Sequence, residues 1–299
     1  MRRGDLKNCR ITKGQRVFDV FNICFLTLLS IVMFYPMWHV VSASFSDANQ
    51  LAMHEGILLL PLRFNINAYT SMFRHPLIMR SYFNSIFLLI SSVLTSMLLT
   101  IICAYVLSRK NVLWNKFFNI MIIFTMFFHG GLVATYLLVA RTLKLNNTYW
   151  ALILPHALSV YNMIIMRTSF EGIPESLSEA AYIDGASHWQ VLWNIILPLS
   201  KSILAVICLY YSVGVWNGWF SASIYLASRN KFPLQLVLRE ILIANNTEQM
   251  SGAGGQDQEA IGETIKFATI TFATVPILCV YPFLQKYFTK GVMIGAVKG

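Results

Sequence analysis

Two acidic residues stand out because they lie in a patterned polar segment between long apolar runs. The segment reads EAAYIDGASHWQVLWNIILP at 179–198 and contains Glu179 and Asp184. Carboxylates can form ion pairs or accept hydrogen bonds, and their charge keeps this segment out of a hydrocarbon environment. The chemistry that these residues offer is therefore polar recognition outside the bilayer.

Motifs for catalysis are absent from the sequence. There is no GxxxxGK[ST] phosphate-binding loop, so the chain is not expected to hydrolyse ATP itself, and neither HExxH nor GxSxG occurs. The S-x-x-K match from Ser228 to Lys231 has no partner motif and is a chance match. Cysteines without CxxC or Cys/His spacing lie in apolar runs at Cys24, Cys103, Cys208 and Cys279. The sequence predicts a protein that is not an enzyme, with no catalytic residue, metal or cofactor of its own.

Composition indicates an integral membrane protein. Of the 299 residues 56% are hydrophobic and only 12% are charged, which is typical of chains that cross a bilayer several times. The net charge of +10 comes from basic residues that flank apolar runs, so it favours membrane orientation over nucleic-acid binding. A span needs roughly 20 residues, and six apolar runs qualify: 18–41, 82–107, 117–140, 150–166, 203–226 and 267–283.

Basic segments set the expected orientation, because Lys and Arg concentrate on the cytoplasmic side. The strongly basic segment 1–16 is predicted to lie in the cytoplasm, followed by a six-span domain at 17–285 and a cytoplasmic tail at 286–299. VSASFS at 41–46 loosely resembles a signal cleavage site, but the apolar run before it is too long, so we expect an anchor. Segment 179–198 then faces the cytoplasm, whereas 43–81 and 227–266 form external loops.

The polar segment is predicted to fold as two short helices joined by a turn. Pro174 favours a helix start, Gly185 permits a turn, and Pro198 precedes the fifth span. Apolar or small residues recur at helical spacing on either side of the turn, at Leu177, Ala180, Ala181, Ile183, Val191, Leu192, Ile195 and Ile196. These features alone also fit an amphipathic helix that lies on the membrane surface.

The segment resembles the EAA signature of the membrane subunits of binding-protein-dependent ABC importers. It has Glu179-Ala180-Ala181, three residues, Gly185, nine residues, Ile195, one residue and Leu197-Pro198. The resemblance implies an all-α integral membrane protein of the type I ABC importer permease fold, with six transmembrane helices and a cytoplasmic coupling-helix loop, here residues 169–200. It implies ATPase-coupling roles for Glu179, Ala180, Ala181, Asp184, Gly185, Ala186, Ile195 and Pro198.

The resemblance also implies partners. A second, related permease would complete the translocation pathway, of which this chain would line half. Two copies of a cytoplasmic ABC ATPase would bind ATP and Mg²⁺, and an extracytoplasmic solute-binding protein would deliver a carbohydrate. The complex would lie in the lipid of the bacterial cytoplasmic membrane as a multi-pass protein with both termini inside, and no nucleic acid is involved.

Further segments narrow the resemblance to the second permease of the carbohydrate-uptake subfamily. They are GQRVFDVFN at 14–22, FYPMWHVVSASFS at 34–46, FFHGGLVATYLL at 127–138, NNTYWALILP at 146–155 and KYFTKGVMIGAVKG at 286–299. The closest group handles oligosaccharides from complex polymers and includes the alginate importer. Ala134 stands where that group usually has proline, so the residue that would kink the third span is missing.

A carbohydrate pathway needs aromatic platforms for sugar ring faces, together with amides and hydroxyls for their edges. The candidate substrate-pathway residues are Trp216, Asn217, Trp219, Tyr136, Tyr211, Gly130 and Gly131. Interfacial anchoring is an equally open interpretation of the aromatic residues, and close helix packing of the glycines. His39 and His129, in or near spans, are expected to be packed or interfacial.

An ion-coupled secondary transporter of sugars is the alternative function, because it would have a similar number of spans. Such transporters usually carry a buried coupling carboxylate and interrupted helices in related halves. The predicted spans contain no Asp except at Asp19, near the start of the first, and no Glu. The sequence therefore favours the ATP-driven importer.

Overall fold

Helices form the regular structure, and no β-strand occurs in the residues that the structure describes. The structure is a computed structural model that describes residues 13–74, 76–128, 130–251, 262 and 264–279. The tail at 286–299, most of segment 1–16 and His129 lie outside these ranges. The expected all-α class is confirmed within them.

The helices range from single turns to more than thirty residues. They are α1 (Lys13–Ser44), α2 (Ala48–Ala52), α3 (Asn67–Arg74), α4 (Pro76–Ser108), α5 (Asn115–Phe127), α6 (Gly131–Leu137), α7 (Trp150–Ile153), α8 (Val160–Glu171), α9 (Glu175–Ile183), α10 (His188–Val191), α11 (Leu197–Leu199), α12 (Lys201–Trp216), α13 (Phe220–Tyr225), α14 (Leu234–Ser251) and α15 (Thr264–Cys279). Wider π-helical turns occupy Leu138–Thr142 and Leu192–Ile196, and 3₁₀ turns occupy Leu154–His156 and Arg229–Lys231.

Two single helices, α1 and α4, are long and apolar enough to cross a bilayer. They contain the predicted spans 18–41 and 82–107. Two bent pairs qualify if each forms one span: α5 with Gly131–Thr142, and His188–Leu199 with α12, the latter bent by 85°. α15 is apolar and shorter. The full count of six therefore stays a prediction.

The predicted span 150–166 is wrong as a continuous helix. α7 gives way to a 3₁₀ turn that contains Pro155, which lacks the N–H needed to continue an α-helix. α8 begins separately after Ser159, whose hydroxyl accepts a hydrogen bond from the Asn162 N–H at 3.4 Å. The predicted span 203–226 is likewise interrupted, because α12 ends at Trp216 and α13 begins at Phe220.

The chain divides into two compact units, residues 1–72 with 247–271 and residues 73–246 with 272–299. In the second unit α4, α8 and α12 pack together around a buried core. Its members include Ala104, Met163, Met166 and Ile207, each at most 1% exposed. This helical core carries the segments described in the next section.

The first unit is built around the C-terminal end of α1. The Trp38 indole donates to the Leu59 carbonyl at 2.7 Å, and the Tyr35 hydroxyl accepts from the Leu58 N–H at 3.1 Å. The His39 ring lies edge-on to Phe267 at 6.0 Å, so His39 is packed among aromatic rings, as expected. Most side chains of α1 from 17 to 38 are exposed on this chain.

Candidate functional site

The coupling loop, residues 169–200, folds as the predicted pair of short helices around a tight turn. α9 ends at Ile183 with Asp184 as its C-cap, and Gly185 follows with φ of +84°, a left-handed conformation that glycine adopts without strain. The Ala186 N–H donates a hydrogen bond to the Ala181 carbonyl at 2.9 Å. Ser187 then caps α10 in a reciprocal capping box with Gln190. Local sequence signals therefore define the shape of this loop.

The tip of the loop presents a carboxylate and a large apolar side chain to the surroundings. Glu179 and Asp184 are exposed, and neither forms an ion pair with any residue that the structure describes. Ile183 is 87% exposed beside them. The pKa of the Lys110 ammonium is raised by the hydrogen bond that it donates to Glu175 and, to a smaller extent, by the charge of Glu179, whereas the Ile183 side chain is left unburied at the tip.

The other predicted coupling residues divide between this surface and the core. Ala180, Gly185 and Pro198 are exposed. Ala181, Ala186 and Ile195 are half-buried and pack against the core of α4, α8 and α12. The loop thus has one face that packs against the helices and one face that is exposed on this chain.

The end of α4 holds the loop through side chains that the sequence reasoning missed. Lys110 forms an ion pair with Glu175, Nζ to Oε2 2.9 Å, and Arg109 donates from Nη1 to the Ser178 hydroxyl at 3.1 Å. The Tyr105 hydroxyl donates to the His188 carbonyl at 3.1 Å. Each contact joins residues more than sixty positions apart, so spacing along the sequence carries no signal for them.

The ion pair keeps both of its members charged near neutral pH. Hydrogen bonding and charge from Glu175 raise the pKa of Lys110, and the same contact with Lys110 lowers the pKa of Glu175. The attraction is therefore lost only when pH falls through the lowered pKa of Glu175 or rises through the raised pKa of Lys110. Because both groups are exposed, this pair orients α9 more than it stabilises the fold.

A cavity of about 490 Å³ lies between the end of α4 and the coupling loop. Its lining includes Arg109, Glu179, Tyr182 and Trp189. The Tyr182 hydroxyl lies 2.8 Å from Nδ1 of His188, which ties α9 to α10 across the turn. The free face of the loop is thus concave next to Glu179.

A larger cavity of about 910 Å³ lies in the second unit, and α4, α8 and α12 contribute much of its lining. Hydroxyl and amide groups face it from several helices, at Ser85, Ser92, Ser96, Thr125, Thr135, Ser159, Asn162, Tyr210, Tyr211 and Ser221. No Lys, Arg, Asp or Glu lines it within the described part of the chain. The cavity can therefore form many hydrogen bonds, and the imidazole of His156 is the one side chain in its described lining that can carry a positive charge.

A model of a known family matches this chain. It is described as "Binding-protein-dependent transport system inner membrane component", and it matches residues 81–294. The chain belongs to this family. The match includes the whole coupling loop and the lining of the larger cavity, and it confirms the resemblance seen in the EAA segment.

Relatives of this permease match over nearly their full length. Protein LplC of Bacillus subtilis is 41% identical over 96% of this chain and 97% of its own. The polygalacturonan/rhamnogalacturonan transport system permease protein YtcP of the same organism is 38% identical over 95% and 99%. A crystal structure of a bacterial ABC transporter involved in the import of the acidic polysaccharide alginate contains a chain that is 32% identical, with a TM-score of 0.85 over 93% of this permease and 98% of that chain. The type I permease fold is thereby confirmed.

Among the predicted substrate-pathway residues, only Tyr211 lines the larger cavity of the permease. Its hydroxyl lies 2.7 Å from the Thr100 hydroxyl and accepts from the Ser159 N–H at 3.0 Å, so it is fixed by α4 and α8. Trp216 is buried, and its indole donates to the Ala273 carbonyl at 3.0 Å. This contact gives Trp216 a packing role in the second unit.

The remaining predicted pathway residues lie outside the lining of this cavity. The Tyr136 ring stacks on Tyr225 at 5.8 Å, and the guanidinium of Arg239 sits 3.4 Å above the Trp219 ring. Asn217 donates to a carbonyl of its own helix. Gly130 is the N-cap of α6 and Gly131 is its first residue, where a φ of +78° allows the turn into the helix.

Sequence reasoning missed the hydroxyl face of α4. Ser85, Ser92 and Ser96 are spaced by seven and four residues, which places them on one face of a helix. Each is at most 6% exposed in the chain. Small hydroxyl residues recurring at this spacing within an apolar span are the signal that could have found them.

Proposed function

We propose that this permease is the membrane half-pathway of an ATP-driven importer that takes up an oligosaccharide or polysaccharide. The relatives named above include a polygalacturonan/rhamnogalacturonan permease and a chain of a transporter involved in the import of alginate. The neutral, hydroxyl-rich cavity supports a carbohydrate substrate, because sugar hydroxyls are matched by serine, threonine, tyrosine and asparagine side chains. The substrate is delivered by a solute-binding protein, in keeping with the description of the family.

The observation that carries the coupling proposal is the free tip of the loop. Glu179 has no ion-pair partner in the described residues, and Ile183 projects beside it. We assign this tip to a cleft on a separate cytoplasmic ATPase, with Glu179 accepting hydrogen bonds from basic or polar groups of that partner. The ATPase hydrolyses ATP, and the coupling loop of this chain transmits the resulting movement to the transmembrane helices.

Movement of the coupling loop can be transmitted to the spans because the loop is connected to them in two ways. On one side α9 is held by the end of α4 through Arg109 and Lys110. On the other side α10 continues through a π-helical turn and α11 into α12, across an 85° bend at Ser200. When two ATPase copies close on ATP, the loop moves as a body and shifts α4 and α12, which line the cavity.

The pathway is completed by a second, related permease. This chain provides one side of a cavity, and α1 exposes apolar side chains along most of its length. Lipid and a partner permease together would cover such a surface. Both termini and the coupling loop are assigned to the cytoplasm on the basis of the basic segment 1–16 and the span count.

The coupling role is tested with Glu179→Gln in the assembled complex in nanodiscs. We expect ATP hydrolysis stimulated by the solute-binding protein to fall about tenfold, because a charge-assisted hydrogen bond contributes about 1.5–3 kcal/mol. The matched control is Glu55→Gln, which removes the same charge from an exposed residue of the loop 43–81, predicted to lie on the external side. Equal effects of the two changes, or recovery of the ATPase subunit unaffected by either, would refute the assignment of Glu179.

A further inference from the structure

Three polar side chains connect α5 to the helices beside it. Asn115 and Asn119 lie in the first two turns of α5, and Arg167 lies in the second half of α8. We call these three residues the polar brace. The two asparagines are half-buried, and the side chain of Arg167 is 25% exposed. None of the three is in the described lining of either cavity.

Asn115 holds the C-terminal end of α4. Its side-chain amide donates to the carbonyls of Leu107 at 3.2 Å and Arg109 at 2.6 Å. The last carbonyls of an α-helix have no partner within the helix, so these hydrogen bonds satisfy groups that would otherwise bond to water. Arg109 is thereby fixed through its backbone, and its guanidinium donates to the Ser178 hydroxyl of α9 at 3.1 Å. Arg109 thus joins Asn115 to the coupling loop.

The backbone before α5 shows that the turn between α4 and α5 is held by its surroundings. Trp114 has φ of +62°, a left-handed conformation that a bulky residue rarely adopts. Its side chain makes no capping hydrogen bond to α5 and is 70% exposed. Such a conformation persists where neighbouring contacts fix it. The two hydrogen bonds from the adjacent Asn115 are contacts of this kind.

Asn119 continues the chain of hydrogen bonds from Asn115 to α8. Its amide nitrogen donates to the Asn115 backbone carbonyl at 2.9 Å and also contacts the Asn115 side-chain oxygen. Its side-chain oxygen accepts from Nη1 of Arg167 at 2.5 Å. Nε of Arg167 pairs with Oε1 of Glu171, the last residue of α8, at 2.8 Å. The guanidinium serves these two partners from two nitrogens, whereas lysine has only one.

The polar brace matters for α5 because apolar packing holds this helix weakly within the chain. None of the residues of α5, all of which the structure describes, is fully buried, and Ile122 packs only partly buried against the core of α4, α8 and α12. α5 nevertheless contributes Thr125 and Met126 to the lining of the larger cavity, and α8 contributes Tyr161 and Asn162. Hydrogen bonds therefore decide how closely these cavity-lining helices follow α4.

We propose that the polar brace makes α5 and α8 move together with the end of α4 when the coupling loop moves. α9 displaces Arg109, the hydrogen bonds of Asn115 carry α5 along, and Asn119 with Arg167 carries α8. The two asparagines are positioning residues, because they act through α4 and α8 and do not line the cavity. This role rests on the proposed importer function, in which movement reaches α4 and α12, and it adds α5 and α8 to the moving helices.

The test compares Asn115→Asp with the wild type in the complete complex in proteoliposomes. Aspartate has the size of asparagine and suits the first turn of a helix, but its ionised carboxylate cannot donate a hydrogen bond. We expect the number of ATP molecules hydrolysed per oligosaccharide imported to rise about 3- to 10-fold, as for the loss of one or two hydrogen bonds. A folding defect lowers hydrolysis and uptake by the same factor, so this ratio separates positioning from stability.

The matched control is Asn111→Asp, which introduces the same charge four residues earlier. Asn111 is exposed and has no hydrogen bond to any residue that the structure describes, so the ratio should stay unchanged. Arg167→Lys decides the test if Asn115→Asp does not assemble with the ATPase subunit. It keeps a charge beside Glu171 and removes the nitrogen that donates to Asn119, and the ratio should rise about 2- to 5-fold.

Two results would overturn the role of the polar brace. An unchanged ratio in the assembled variants would mean that these side chains contribute to stability alone. Equal rises in Asn115→Asp and Asn111→Asp would mean that the added charge, and not the lost hydrogen bonds, is responsible. Absence of ATP-dependent uptake by the wild-type complex is a separate result, because it would refute the proposed importer function on which this role depends.

Discussion

Gly185 shows how one backbone angle defines the shape of the coupling loop. Its φ of +84° lies in the region that residues with a side chain rarely adopt. A Cβ added there would meet no heavy atom within 4 Å, so space does not exclude a side chain. The turn between α9 and α10 therefore depends on backbone conformation and not on packing.

Replacing Gly185 should weaken coupling in proportion to the backbone strain. We expect Gly185→Ala to cost about 1–2 kcal/mol in the native turn, because L-residues disfavour this conformation. Gly185→Asn should retain more activity, since asparagine tolerates positive φ, and Gly185→Val should retain least. The measurement is stimulated ATP hydrolysis and uptake by the full complex. Activity that follows side-chain size in place of tolerance for positive φ would contradict this explanation.

The hydroxyl face of α4 lines the larger cavity, which we propose to be the substrate pathway. Ser92 lines the cavity, whereas its neighbour Ser91 bonds to the Phe87 carbonyl at 2.7 Å and is absent from the lining. We expect Ser92→Leu to reduce oligosaccharide uptake at least about tenfold, because it fills the cavity and removes a hydrogen-bonding group. Basal ATP hydrolysis should persist.

The matched control for this change is Ser91→Leu, which adds the same side chain one position away on α4. Uptake measured with radiolabelled oligosaccharide in proteoliposomes should be nearly normal for this control. If both variants lose uptake equally, a general disturbance of α4 explains the loss, and the assignment of the cavity to the pathway is wrong.

Sequence patterns predicted the elements whose signals are local, and missed those that depend on the fold. The long apolar runs gave α1 and α4, and the EAA segment gave the two helices around Gly185. Apolar composition is the same for one span and for two half-helices, so the interruption between Pro155 and Ser159 was not predicted. Residues from several helices line the cavity, so no single stretch of sequence reveals it. The sequence prediction relied on the aromatic cluster near 216, and Trp216, Asn217 and Trp219 are not in the lining.

The distribution of acidic residues along the whole chain bears on whether transport is driven by ATP or by an ion gradient. No Asp or Glu occurs between residues 81 and 170 or between 185 and 239. The cavity therefore has no carboxylate that could take up a proton or bind sodium from either side, as ion-coupled transporters require. Acidic residues of the second unit concentrate instead in the coupling loop, the segment that we propose contacts the ATPase.

This arrangement predicts that uptake follows ATP and not an ion gradient. In proteoliposomes with the complete complex and ATP enclosed on the ATPase side, valinomycin with nigericin should leave oligosaccharide uptake unchanged. Omitting ATP should abolish uptake even when a proton or sodium gradient is imposed. Substantial gradient-driven uptake without ATP would favour the ion-coupled alternative. That result would make the imidazole of His156, which lines the cavity, the first group to test for proton coupling, because no carboxylate is in the described lining of the cavity.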